Sequence, residues 1–157
     1  MQDEIKKTKS IEIWSSEFNR VFEFVFEHSL IGMAILSPEG NFLRVNQKAC
    51  EIWEFSEKEL IGKHWSDITY PEDLELSTLY TNSYTGKSEQ YSIIIEKRYV
   101  TGCGKILTCK VTTTAIRNQD GTISYFITQV QDITQKKETL FSLKKGLEFI
   151  QSIKEKS

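Results

Sequence analysis

Residues 37–62 read SPEGNFLRVNQKACEIWEFSEKELIG. Pro38-Glu39-Gly40-Asn41 is a turn signal: Pro presets one backbone angle, and Gly and Asn tolerate the angles a reversal needs. Phe42-Leu43-Arg44-Val45 is a short apolar-polar alternation, as in a half-buried strand. Asn46 stands where that strand ends and a helix begins. Helix-compatible residues continue through Ala49, Ile52 and Trp53. Ser56 and Glu59 form a capping box, in which each side chain satisfies the other's exposed backbone donor. Gly62 then closes a second short helix. The stretch therefore predicts strand, turn, strand, short helix, short helix.

Upstream, residues 1–10 are polar, and Ser10 is placed to cap a helix starting at Ile11. Ile11, Trp14, Phe18, Val21 and Val25 recur at alternating steps of three and four, the pattern of a paired helix. Phe22 and Phe26 widen the stripe. Such a helix either packs on its own domain or also pairs with a second subunit. His28-Ser29 ends it, and the apolar run 32–36 is a first strand.

Downstream, His64 to Thr69 predicts one helical turn. Pro71 suits a helix start, and the helix should reach about residue 84, with Leu74, Leu76, Leu79 and Tyr80 as its apolar side and Gly86 as its stop. Residues 91–100, 105–117 and 123–132 are rich in β-branched and aromatic residues and predict three strands. Gly102-Cys103-Gly104 and Asn118-Gln119-Asp120-Gly121 are hairpin turns between them. The order β-β-α-α-α-β-β-β implies an α+β fold with an antiparallel sheet. From Ile133 helical periodicity returns: Leu140 and Leu147 share its heptad position, and Leu143 and Ile150 share the other. Lys136 and Gly146 weaken that stripe, so this helix either pairs or lies on the sheet.

The stretch 37–62 resembles the PAS sensor family. The matching features are the Glu39-Gly40 turn, Asn46 opening a helix, the aromatic run Ile52-Trp53-Glu54-Phe55, and Ser56, Glu59, Leu60 and Gly62 in their spacing. A second block matches further on: Asp120-Gly121-Thr122, Tyr125-Phe126-Ile127 and Asp132-Ile133-Thr134. The resemblance implies a five-stranded antiparallel sheet with short helices on one face, flanked by amphipathic helices. It divides the chain into a cap or dimerisation helix (1–28), a sensor domain (29–134) and a C-terminal linker helix (135–157).

It also implies a pocket between the sheet and the short helices. Cys50, Trp53, Trp65, Tyr80, Tyr99, Thr113, Thr128 and Val130 are its expected lining. Asp132 and Thr134, at the exit of the last strand, are the expected signal junction, where Asp or Thr would cap the following helix. Covalent flavin chemistry is not expected. The Gly-x-Asn-Cys motif of such photosensors would read Gly62-Lys63-His64-Trp65 here, and Val130 stands where their last-strand Gln would be. Haem is not expected either, because residues 71–86 contain no His and His64 only precedes them. Any other cofactor is left unnamed.

Composition narrows the partners. The formal net charge of -2 gives no electrostatic case for nucleic acid. No apolar run approaches the roughly 20 residues that span a bilayer. Cys50, Cys103 and Cys109 form no close pair and fit a reducing compartment, so a cytoplasmic location is expected. No nucleophile elbow, phosphate loop, zinc motif or carboxylate pair points to catalysis. Two histidines and scattered cysteines give no metal-ligand spacing. The expected function is a homodimeric cytoplasmic sensory module that responds to a small ligand or a redox or energy state. It would relay that state to an output domain of the histidine kinase or diguanylate cyclase type, as part of a longer protein or in trans. The competing expectations are a ligand-free dimerisation module and a small cavity protein with an activity of its own.

Overall fold

The three Thr-rich and Ile-rich strands at the end of the domain set the frame on which everything else packs. The computed structural model describes residues 2–85 and 92–156, with side chains for residues 15–84 and 92–156. The elements are α1 (Gln2–Glu27), β1 (Gly32–Leu36), β2 (Phe42–Val45), α2 (Gln47–Trp53), α3 (Glu57–Leu60), α4 (Leu74–Asn82), β3 (Ser92–Val100), β4 (Ile106–Arg117), β5 (Ile123–Asp132) and α5 (Thr134–Glu155). Turns of 3-10 helix at Trp65–Ile68 and Pro71–Asp73 precede α4, and another at Ser83–Thr85 follows it. One antiparallel sheet runs in the order β2-β1-β5-β4-β3. The expected α+β architecture is present.

Alternation decides which side chains face inward. Ile93 and Tyr99 of β3, Cys109, Val111 and Ala115 of β4, and Phe126 and Val130 of β5 are all buried on one face. Trp53, Leu60 and Ile68 pack onto them from the helical side, and Phe42 joins them from β2. Trp53 lies against Phe42 and Tyr99, with ring centroids 5.5 and 5.4 Å away, an arrangement favoured by aromatic quadrupoles.

Asn46 is the joint of this core. It is fully buried and uses its whole side chain. Its Oδ1 accepts from Met33 N at 2.8 Å and from Ala49 N at 2.9 Å. Its Nδ2 donates to the carbonyls of Phe26 at 2.8 Å and Ile31 at 3.0 Å. One residue thus caps α2 and ties it to α1 and β1.

Local signals were obeyed where they were strong. The Ser56–Glu59 capping box is formed. Gly62 has a positive φ of 84°, and its N–H donates to Phe42 O at 2.9 Å. Elsewhere the structure departs from the sequence expectation. The backbone is helical from Gln2, so Ser10 lies inside α1 and does not cap it. Residues 71–85 form three short helical pieces, not one helix. Leu76 and Leu79 are exposed, while Ser77 is buried. The expected stop at Gly86 and the start of the strand at Tyr91 lie outside the described residues. In α1, Phe26 is buried but Phe18, Val21 and Val25 are exposed, Phe18 at 72%. The side chains of Ile11 and Trp14 lie outside the described set. α5 buries none of its residues and does not lie on the sheet. Its contact with the domain is at its first turns, through the Thr134 bonds to Thr108 and the Lys137–Glu96 ion pair.

Candidate functional site: a cavity with one buried lysine

A cavity of about 60 Å³ lies between the inner sheet face and the helical segment 65–84. Strand alternation supplies the floor: Ile93, Ile95, Lys97 and Tyr99 point inward from β3, Thr113 from β4 and Thr128 from β5. Trp53, Trp65, Ser77 and Tyr84 close it from the helical side.

Lys97 is the one charged side chain lining this cavity among the described residues. It is 7% exposed. Its ammonium donates to Thr69 Oγ1 at 3.1 Å and lies 4.7 Å from the ring centroids of both Trp65 and Tyr99. Cation–π attraction of this kind partly replaces lost hydration. Burial nevertheless pushes the ammonium down to about 8, against the opposing pull of Asp73. Asp73 itself is engaged elsewhere. Arg98 holds it through Nη2–Oδ1 at 2.7 Å and Nε–Oδ2 at 3.1 Å, and that guanidinium keeps its carboxyl below the usual range.

Two other polar groups of the wall are buried with no partner among the described residues: the Trp53 indole N–H and the Ser77 hydroxyl. Their neighbours are satisfied. Thr78 and Thr81 donate to carbonyls one turn back at 2.8 and 2.9 Å. Tyr84 OH donates to Thr113 O, and the Thr113 and Thr128 hydroxyls meet at 3.3 Å.

Of the residues expected to line a pocket, Trp53, Trp65, Tyr80, Tyr99, Thr113 and Thr128 come together here. Cys50 and Val130 do not. Cys50 sits half-buried on α2, where burial and the carboxylates of Glu57 and Glu27 push its thiol up. Val130 is fully buried, but at the end of β5 where α2 crosses. A Cβ on Gly32 would come within 2.6 Å of its Cγ1 and 3.0 Å of Ala49 Cα. α2 therefore seals Val130 away from the cavity. Sequence reading missed Lys97 and Ser77. Lys97 shares its parity with Ile93, Ile95 and Tyr99, and that alternation was the available signal. Ser77 had none, because the leucines of α4 suggested the opposite face.

A flavin adduct and a haem do not fit this site. Trp65 provides no thiol, and its ring lies 4.9 Å from the His64 ring and 4.7 Å from the Lys97 ammonium. His64 Nδ1 is bonded to Ser66 Oγ at 2.7 Å and Nε2 to Glu39 O at 3.0 Å. Among the described residues no group of three or more His, Cys, Asp or Glu could hold a metal ion.

The junction residues form a clamp. Asp132 Oδ1 accepts from Thr134 N at 2.9 Å and from Thr134 Oγ1 at 2.6 Å. Thr134 Oγ1 accepts from Thr108 N at 2.9 Å, and Ile133 N donates to Thr108 O at 2.9 Å. Ile133, not Asp132, occupies the cap position of α5. Asp132 acts from one residue further out, as an Asx turn. No described helix is long and apolar enough to cross a membrane.

Comparison with known proteins places this geometry. The probable diguanylate cyclase DgcE of Escherichia coli (strain K12) is 34% identical over 125 residues. That match covers 79% of this chain and 11% of the relative, so the chain spans about a tenth of the length of that relative. The PAS domain of a protein from Colwellia psychrerythraea superposes with a TM-score of 0.69 at 17% identity, covering 75% of this chain and 98% of that one. The PAS domain of an HTR-like protein from Haloarcula marismortui gives 0.64 at 22% identity, covering 80% and 99%. The PAS domain profile matches residues 30–135, and the chain therefore belongs to the PAS domain family.

Proposed function

We propose that the chain is a cytoplasmic sensory module whose cavity state is relayed through α5 to an output domain. The observation that carries this is the Asp132–Thr134 clamp. It fixes the first turn of α5 to Thr108 of β4, and β4 and β5 supply the cavity floor through Thr113 and Thr128. A change in sheet geometry thus acts on α5 through hydrogen bonds and not through a flexible linker. The similarity to a probable diguanylate cyclase supports an output of that type; a histidine kinase output uses the same coupling.

Homodimerisation belongs to the same proposal. α1 exposes Phe18, Val21 and Val25, and α5 exposes Leu140, Leu143, Leu147 and Ile150. Apolar stripes at heptad spacing are stable in water when they pair. A ligand-free dimerisation module is the competing reading, and these same stripes are what favours it. Ultracentrifugation is expected to show a dimer that Leu143→Asp with Leu147→Asp converts to monomer. Asp132→Ala is expected to leave the dimer intact and to change the output of the polypeptide that carries the chain. A monomeric wild type, or unchanged output in Asp132→Ala, overturns the relay.

A further inference from the structure

We infer that the cavity is a receptor site for a small monocarboxylate, bound by the Lys97 ammonium with help from the Trp53 indole N–H and the Ser77 hydroxyl. The inference rests on the sensory reading above and names the ligand class.

An ammonium has three donors. Thr69 takes one, and only aromatic faces meet the others among the described residues. The nearby carboxylate that could neutralise Lys97, Asp73, is locked to Arg98 by three hydrogen bonds, including Arg98 N at 2.7 Å. Buried charge is stable only when paired and hydrogen-bonded. Trp53 Nε1 and Ser77 Oγ are buried donors without acceptors on the same wall, and unsatisfied buried groups of this kind are uncommon in folded proteins. Ser77 does not bond back to the preceding turn as Thr78 and Thr81 do. Trp53 and Lys97 both pack against Tyr99, at 5.4 and 4.7 Å from its ring centroid. Two of the three free donors are thus on side chains that meet one ring, and Ser77 lines the same cavity.

A ligand that satisfies them must bring acceptors and one negative charge. A cavity of about 60 Å³ holds roughly four to six water-sized atoms. The rest of the wall carries no charge: the hydroxyls of Tyr80, Thr81, Tyr84, Thr113 and Thr128 stand beside apolar Leu36, Ile93, Ile95 and Phe126. It suits a short alkyl tail and not a second charged group, which excludes phosphate and dicarboxylates. A two- to four-carbon monocarboxylate meets each condition.

Propionate tests this against its neutral analogues propionamide and propan-1-ol, with the Trp53 indole N–H resonance of the full chain as readout. Propionate is expected to shift that resonance saturably. The two neutral probes should bind at least about tenfold more weakly, the value of one charge-assisted hydrogen bond. Lys97→Met should abolish the preference for propionate. Ser77→Ala, which keeps the charge, should weaken propionate several-fold and retain the preference. Equal binding of propionamide, a preference that survives in Lys97→Met, or no saturable shift with propionate overturns the assignment. None of these outcomes alters the dimer and Asp132→Ala measurements, so failure of the ligand class is distinguishable from failure of the relay.

Discussion

The Asn46 side chain donates to the Phe26 carbonyl at 2.8 Å across twenty residues of sequence. This bond satisfies an orphan carbonyl near the end of α1 from the N-cap of α2. The N-terminal helix is thereby docked by backbone recognition as well as by the burial of Phe26. Asn46→Ala leaves two N–H groups and two carbonyls without their partner. Its expected cost is on the order of 3 kcal/mol or more, read from urea denaturation, with protection of the α1 amides lost first in hydrogen exchange. A loss below about 1 kcal/mol would show that water replaces the side chain.

Arg44 docks the same helix from the surface. It pairs with Glu23 at 2.9 Å, Glu27 at 3.3 Å and Glu57 at 3.4 Å, and it is partly exposed. Exposed pairs are weak and screened by salt. Arg44→Met should destabilise less than Asn46→Ala, and the deficit should shrink between low and high ionic strength. A loss insensitive to salt would mean that packing of the guanidinium on Phe26, 5.3 Å from the ring centroid, is the larger contribution.

Lys97 should cost stability. Its folded value of about 8 lies below the ~10.4 of a free lysine. Between those limits the unfolded chain holds more protons, so this group's contribution makes stability rise with pH. Cys109 acts oppositely. Burial pushes its thiol up to about 12, so its contribution falls once the unfolded thiol ionises above ~8.5. Tyr99, also pushed up by burial, acts in the same sense as Cys109 at higher pH. Subtracting Lys97→Met from wild type isolates the lysine. The variant should be more stable at pH 7, on the order of 1–3 kcal/mol, with the gap closing towards pH 10. A variant that is less stable at pH 7 contradicts this.

Two glycines of one hairpin should respond differently. A Cβ on Gly102 would lie 2.1 Å from the Glu54 carbonyl oxygen, because the Gly102 N–H donates to Trp53 O at 2.9 Å. Backbone on both sides leaves nothing flexible to give, and Gly102→Ala should cost ~3 kcal/mol or more. Gly104 has open space but a φ of +82°. Gly104→Ala should cost only ~1 kcal/mol, the strain of a left-handed Ala. Similar melting temperatures for the two variants would count against the docking of this hairpin on α2.

Much of the fold was legible because its signals are local. Strands 32–36, 42–45 and 123–132 begin and end as the alternation and turns predicted. Six aromatic and Thr residues expected on a pocket wall reach one cavity. Other readings failed where two faces compete. In α4 the leucines suggested the buried face, yet Ser77 faces in and Leu76 and Leu79 face out. Cys50 and Val130 were expected in the lining, but Cys50 sits half-buried on α2 near Glu57 and Glu27, and Val130 packs beside Gly32 where α2 crosses.

The sequence alone determined the hairpin turns, the Ser56–Glu59 capping box and the order of elements along the chain, because each depends on residues within a few positions of one another. Tertiary structure decided which polar groups are stranded. Lys97 is an ordinary strand lysine until Trp65 and Tyr99 cover it and Arg98 claims Asp73. Trp65 and Asp73 come from other segments of the chain, and a buried charge has no signature in its own neighbourhood. Its electrostatic consequence exists only once water has been excluded by the assembled fold.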